Sequence, residues 1–234
     1  MVSNFYDTAL ARKLKAFVPL ASDELKWLAE LQVTPSVVER GKHLVQEGQN
    51  GHKVFVLQAG WTCGYKDLPG GRQIISFPIA GDCVGLRSAL LRTTDHSYSA
   101  LTDAVVSSVE GEDILKGVTE FPRLGAALLW AATREEAMVV DHLVNVKQRN
   151  AIERTAHFFM ELAERLNLVG LATETEFRCP LSKSVLANAL GLTDIHVTRV
   201  LRQLRERDLL TLQKGTVKIH DLKGLRKLAG SNPR

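Results

Sequence analysis

Cysteine is scarce in this 234-residue chain: Cys63, Cys83 and Cys179 are odd in number and far apart. That argues against a disulfide framework, fits a reducing compartment, and leaves no thiolate cluster for an iron–sulfur centre or a zinc knuckle. No structural metal is expected. Long apolar runs are missing as well. The longest, Leu124 to Ala132, is closed by Arg123 and Arg134 and falls well short of the roughly 20 residues a membrane span needs. Met1-Val2-Ser3-Asn4-Phe5 lacks the basic flank and apolar core of an export signal, so the expectation is a cytoplasmic protein with no membrane association.

Catalytic signatures are absent too. There is no GxSxG elbow, no HExxH and no GxxxxGK[ST] phosphate loop, and the histidines are not spaced as a cupin-like metal site requires. The chain is therefore read as a non-enzyme. What it does have is the 45% apolar and 24% charged make-up of a globular protein, at a length that suits two small domains.

Charge separates the ends of the chain. From Lys183 to Arg234 there are eleven Lys/Arg against four Asp/Glu, net +7, whereas residues 1 to 182 carry net −3. A basic segment on a near-neutral body is the footprint of a polyanion binder, since each neutralised phosphate releases condensed counterions. A solvated basic surface would give the same count, so the residue pattern has to decide.

Residues 5 to 31 have helical patterning, with Leu10, Leu14 and Phe17 and then Leu25, Leu28 and Leu31, the second group behind Ser22 as N-cap. From Val37 to Val109 the texture becomes short β-branched and aromatic segments, such as Val54-Phe55-Val56-Leu57, Ile74 to Phe77 and Ala104 to Val106. Glycines punctuate them, and Pro69-Gly70-Gly71 reads as a hairpin tip. This predicts an antiparallel β-roll. After Pro122 a long helix is expected, apolar almost all round in its first turns and continued by Met138, Leu143 and Val146. Such a helix is buried on more than one side, which predicts a homodimer seam, the alternative being an ordinary core helix within one monomer. Asn145 to Asn150 reads as a hinge, and Ala151 to Leu168 as an amphipathic helix with Ile152, Ala156, Phe159, Leu162, Ala163 and Leu166 inward.

The segment KSVLANALGLTDIHVTRVLR, Lys183 to Arg202, fits two short helices around a tight turn. Ala187 is small where the helices approach, Gly191 suits a left-handed turn, and Leu186, Leu190, Leu192, Val197 and Val200 fill buried slots. Ser182 and Thr193 are the expected N-caps. At 100° per residue, Val197, Val200, Leu201 and Leu204 share one side of the second helix. Ile195, Thr198, Arg199 and Arg202 share the other, flanked by His196 and Gln203. An α-helix fits the major groove and reads base edges from its N-terminal exposed residues. Arg199 is the candidate for a bidentate guanine contact. His196 and Thr198 offer polar contacts, Ile195 an apolar one, and Arg202 and Arg205 backbone contacts. Leu209 to His220 alternates about Lys214-Gly215, a wing hairpin whose Lys214 would sit beside phosphates. The candidate DNA-binding set is Ser182, Lys183, Thr193, Asp194, Ile195, His196, Thr198, Arg199, Arg202 and Lys214.

In this order of elements the chain resembles the Crp/Fnr family of bacterial transcription regulators over nearly its whole length. Gly41, Gly48, Gly60, Gly71, Gly81 and Gly85 recur at spacings like the family's. Gly81 to Leu86 looks like the start of its effector-binding segment, and Leu181 to Leu210 resembles its DNA-binding signature, with Arg199 matching the characteristic arginine. The resemblance implies an α+β chain in three parts. Residues 1–120 form a cyclic-nucleotide-binding-like, jelly-roll-like sensor domain; 121–149 form the dimerisation helix and hinge; 150–234 form a winged helix-turn-helix. It also implies a homodimer on a two-fold symmetric operator of double-stranded DNA, with RNA polymerase as a further partner. The competing reading is a ligand sensor that acts through protein partners rather than DNA.

Two departures bear on the effector. Cyclic-nucleotide-binding members carry a Glu after the glycine matching Gly85, and an Arg-Ser or Arg-Ala pair further on; here those places hold Leu86 and His96-Ser97. Leu cannot accept from a ribose hydroxyl and a neutral imidazole is a poor phosphate clamp, so cyclic AMP is not expected. Gly85, Leu86, Arg87, Ser88, His96 and Ser97 remain the candidate effector-binding set, Arg87 either meeting some other anion or forming an ion pair. The family's oxygen-sensing branch uses a cysteine cluster near its N-terminus, and no cysteine precedes Cys63, so an iron–sulfur cluster is not expected. His43, His52, His96 and His142 are isolated and read as hydrogen-bonded side chains rather than haem ligands. Cys179 reads as a buried, inert thiol. Ile195 stands where the family usually has a Glu, so the operator should differ from those of its relatives.

Overall fold

The computed structural model describes residues 6–49 and 53–230, and the chain divides into two compact units, Met1–Arg134 and Glu135–Arg234, inside one long helix. The first unit runs α1 (Ala9–Lys15), α2 (Ser22–Glu30), β1 (Pro35–Val38), β2 (His43–Val45), β3 (Lys53–Ala59), β4 (Thr62–Leu68), β5 (Gly71–Ser76), β6 (Cys83–Val84), α3 (Leu86–Leu91), β7 (Ser97–Ala100), β8 (Ala104–Glu110), α4 (Gly111–Glu120) and the start of α5 (Pro122–Gln148). Its strands form two antiparallel four-stranded sheets, in the orders β1-β8-β3-β6 and β2-β7-β4-β5.

The unbroken apolar run of β3 follows from its position. Phe55 and Leu57 pack with Leu44, Ala100, Ala104 and Val106, while the alternate residues Val54 and Val56 pack with Leu10, Leu14, Leu28, Val109, Ile114 and the α5 residues Leu124 and Ala127. A strand covered on both faces has no polar side to present. The expected hairpin tip lies between β4 and β5. Among the glycines, Gly60 is held at φ +88, and a Cβ there would collide with the Asp103 carbonyl, which no other residue avoids.

Helix α1 begins at Thr8, whose hydroxyl accepts from Ala11 N–H at 3.2 Å. The buried Lys13 meets Asp82 at 2.7 Å, and Asp82 also accepts the Ile79 N–H, which ties this helix to the roll. Ser22 is not a cap: it is the first residue of α2, behind Ala21, whose N–H is taken by the Glu24 carboxylate at 2.6 Å. The reciprocal half of a capping box thus replaces the expected hydroxyl. Phe17 does not continue the inward stripe. It lies past the end of α1, 47% exposed, and stacks on Trp130 with centroids 5.3 Å apart.

Helix α5 opens on Pro122, and Leu124, Ala127 and Ala131 are buried on one flank. Leu128 and Trp130 are half-buried against the same core, whereas Leu129 is 70% exposed, and Val139, Val140, Leu143, Val144 and Val146 are exposed along the later turns.

The second unit holds the end of α5, then α6 (Ala151–Leu168), β9 (Glu176–Arg178), α7 (Lys183–Leu190), α8 (Asp194–Glu206), β10 (Leu210–Gln213), β11 (Thr216–Ile219) and α9 (Leu222–Ala229). The helical break is narrower than the expected hinge: Asn145 is buried within α5, and only Arg149-Asn150 separates the helices. Asn150 Oδ1 accepts from Ile152 and Glu153 N–H, each at 3.1 Å, and the Glu153 carboxylate takes the Asn150 N–H at 3.0 Å. This capping box starts α6 where α5 stops. All the expected inward residues of α6 are buried except Ile152, which is half-buried.

Across the α5–α6 pair, His142 Nε2 lies 2.9 Å from Glu161 Oε2, and Arg165 approaches the other carboxylate oxygen at 3.5 Å. Burial opposes the charge on both partners, yet the bond to Glu161 holds His142 above its ordinary value and His142 with Arg165 holds Glu161 below its own. His157 is shifted the other way, down, by burial and Arg149. A raised histidine contributes stability that is complete below its unfolded value and is lost as pH rises through the folded one. Urea midpoints of wild type and His142→Gln measured from pH 5 to 9 should therefore differ most at the acidic end and converge above neutrality, the His157 contribution cancelling in the difference. Parallel curves would contradict the assignment.

Candidate nucleic-acid interface

The reading head is built from its caps and its turn. Ser182 accepts from Val185 N–H at 3.2 Å and starts α7; Thr193 accepts from His196 N–H at 3.3 Å and starts α8. Between them Gly191 takes the left-handed conformation, φ +62, and its N–H closes the last turn of α7. Leu186, Ala187, Leu190, Val197, Val200 and Leu204 are all buried, while Leu192 is half-buried. That packing fixes what faces outward. Ile195 is 84% exposed, the barest large apolar side chain among the described residues, and Thr198, Arg199, Arg202 and Arg205 are exposed beside it. His196 and Gln203 are half-buried at the flanks.

The exposed polar groups are not equally available. The Thr198 hydroxyl donates to the Asp194 carbonyl at 2.9 Å, and Ser182 shares its hydroxyl with Ser184. Arg202 lies 3.7 Å from Glu206 one turn on. Arg199 has no ion pair among the described residues, which leaves its planar fork of donors open. Asp194 and Lys183 are exposed in the first turns of their helices.

The wing is a three-stranded antiparallel sheet, β10-β11-β9. Lys214 and Gly215 form its two-residue turn, both with positive φ, as hairpins with this twist require. Lys214 is exposed at the tip, whereas Lys218 is 3.2 Å from Glu176 on the neighbouring strand. Strand β9 and helix α9 escape the sequence reading. Glu176-Phe177-Arg178 is too short to show a period, and Leu222 to Ala229 follows the hairpin without a break, Asp221 capping it onto Gly224 N–H. Cys179 is fully buried, and burial pushes its thiol up to about 11, so it is neither exposed nor acidic.

In the roll, the candidate effector residues lie together on α3 and β7. Gly85 leads into α3 at φ +85, Leu86 is half-buried, and Ser88, His96 and Ser97 are buried. Arg87 is an ion-paired surface arginine, 2.8 Å from Asp95. Asp95 also meets His96 Nδ1 at 2.7 Å, and His96 Nε2 lies 2.7 Å from the Tyr98 hydroxyl. An ionised carboxylate only accepts, so Nδ1 carries the proton and Nε2 takes the tyrosine hydroxyl hydrogen in the neutral ring. Burial alone would raise Asp95, but His96 and Arg87 together hold it below the usual carboxylate range. Ser97 accepts the Glu47 N–H at 3.0 Å. Asp95 and Tyr98 are the members sequence reasoning missed; the i, i+2 spacing of His96 and Tyr98 at the entry to β7 was the available signal.

The other histidines are placed as well. His43 Nδ1 is 3.1 Å from the Tyr65 hydroxyl, His142 meets Glu161, and His52 lies outside the described residues. Among the described residues no group of three or more His, Cys, Asp or Glu is arranged to hold a metal ion, and no helix is long and apolar enough to cross a membrane.

Comparison with known proteins agrees with this geometry. Residues 153–228 match the Crp-like helix-turn-helix domain and residues 35–120 the cyclic nucleotide-binding domain. The anaerobic regulatory protein of Haemophilus influenzae is 26% identical over 215 residues, covering 91% of this chain and 83% of that one. The transcriptional regulatory protein btr of Bordetella pertussis is 28% identical over 214 residues, covering 91% and 88%. Among solved structures, FixK2 from Bradyrhizobium japonicum superposes with a TM-score of 0.74 at 24% identity, over 86% of this chain and 98% of that one.

Thr193→Ala should cost about 1 kcal/mol by urea unfolding, because the first turn of α8 then keeps an unpaired amide. A loss no larger than that of an exposed control such as Glu136→Ala would show that the hydroxyl does not cap the helix.

Proposed function

The chain belongs to the Crp/Fnr family of transcription regulators, and from that premise we propose that it works as a homodimer binding a two-fold symmetric operator, with a sensor roll that has given up cyclic AMP. The observation that carries the DNA reading is the outward face of α8. Arg199, without an ion pair among the described residues, and a bare Ile195 stand on a basic segment, held by caps and a buried opposite face. Arg199 reads guanine, Ile195 makes an apolar contact, His196 and Thr198 flank them, and Ser182, Lys183, Thr193, Asp194, Arg202 and Lys214 position the phosphates or the helix.

The dimer reading rests on the exposed stripe of α5. Leucine and valine side chains along so many turns favour burial against a second copy. Two recognition helices about 34 Å apart would then meet successive major-groove faces. In this reading residues 1–120 sense, 121–149 pair the subunits and hinge, and 150–234 read DNA. RNA polymerase is the further partner. The loss of cyclic AMP is supported by Leu86 and by His96, whose ring nitrogens are already engaged by Asp95 and Tyr98.

Arg199→Ala should cost about 1–3 kcal/mol at each half-site and relax preference at one base pair, read by selection from a random duplex pool. Unchanged preference would count against the assignment. Wild-type affinity for duplex should fall steeply with salt; affinity indifferent to salt would favour the reading in which the protein acts through protein partners. Leu143→Glu should convert the dimer to monomer in sedimentation equilibrium, and an unchanged mass would move the seam elsewhere.

A further inference from the structure

One guanidinium in the second unit is bonded to the ends of two helices. Arg154, in the first turn of α6, donates through Nη1 to the carbonyl of Leu190, the last residue of α7, at 2.6 Å. Through Nη2 it donates to the carbonyl of Arg149, just past α5, at 3.3 Å. Helices end in carbonyls that have no partner of their own and carry partial negative charge, so a cation there is doubly suited. Arg154 serves two such ends at once.

Its surroundings leave it little freedom. A Cβ on Gly191 would lie 3.4 Å from Nη1, so the guanidinium sits directly against the turn that sets α8 relative to α7. On the other side, the Arg149 side chain is bonded to Asn145 and packs near Gly230, the residue that ends α9. The Arg154 Nε is buried with no hydrogen-bond partner among the described residues. Buried donors are nearly always paired, so this position is dictated by the two carbonyls rather than by the comfort of the side chain itself. The fork is planar and rigid, and its two Nη groups move as one body.

We propose that Arg154 is a positioning residue that couples the Arg149-Asn150 break to the α7–α8 turn, so that a shift of the Arg149 carbonyl re-aims the recognition helix. The consequence for DNA rests on the reading of α8 given above. Lysine at this position keeps the charge but lacks the rigid two-pronged fork, so a lysine variant that behaves as the glutamine one does separates coupling from simple electrostatics.

The experiment uses full-length wild type, Arg154→Lys and Arg154→Gln. Hydrogen exchange by mass spectrometry is combined with binding to a duplex selected by the wild-type protein from a random pool, and to the same duplex with one base pair added between half-sites. In both variants, exchange should rise together at residues 149–153 and 190–193 while the centre of α8 stays protected. Preference for the selected spacing should fall on the order of 10-fold with random-duplex affinity unchanged. Exchange that rises at only one of the two segments, or everywhere, overturns the coupling, as does an intact spacing preference. Should the wild type select no duplex, the DNA reading fails, and the paired or unpaired rise in exchange still decides the role of Arg154.

Discussion

The geometry of the reading head depends on a close approach of two short helices, which the left-handed Gly191 makes possible and six buried side chains hold in place. The constraint is steric before it is electrostatic. Because Leu186, Ala187 and Leu190 on α7 and Val197, Val200 and Leu204 on α8 are buried, the residues a few positions away have nowhere to point except solvent. Arg199 is available because Val200 is not. The caps at Ser182 and Thr193 then fix where each helix begins, so the exposed face has a definite register as well as a direction.

The roll obeys a similar constraint with an opposite outcome. Strand β3 is covered on both faces, and a group of polar residues is left at the margin formed by α3 and the start of β7. There Arg87 meets Asp95, Asp95 meets His96, and His96 meets the Tyr98 hydroxyl. Arg199 on α8, by contrast, has no ion pair among the described residues.

Much of this could be read from the sequence because it is local. Amphipathic period marked α6, cap residues marked where α7 and α8 start, and turn-forming residues marked both hairpins. What escaped was set by tertiary partners. Ser22 has a hydroxyl in a suitable place, but the Glu24 carboxylate takes the amide one residue earlier. Phe17 fits a helical stripe, but α1 ends before it and Trp130 receives its ring. Asp95 and Tyr98 become interesting only once the strand and its preceding loop bring them to His96. Arg154 looks like an ordinary surface position on a helix until α7 is folded against it.

The burial of Cys179 has a practical corollary. Its amide donates to the Gly215 carbonyl in the turn of the wing, and its sulfur is sealed from water. A thiol in that setting is invisible to alkylating reagents for as long as the sheet stays shut, so the rate at which it takes up a label is a clock for local opening of the winged sheet, written in the protein's own side chains and needing no added probe.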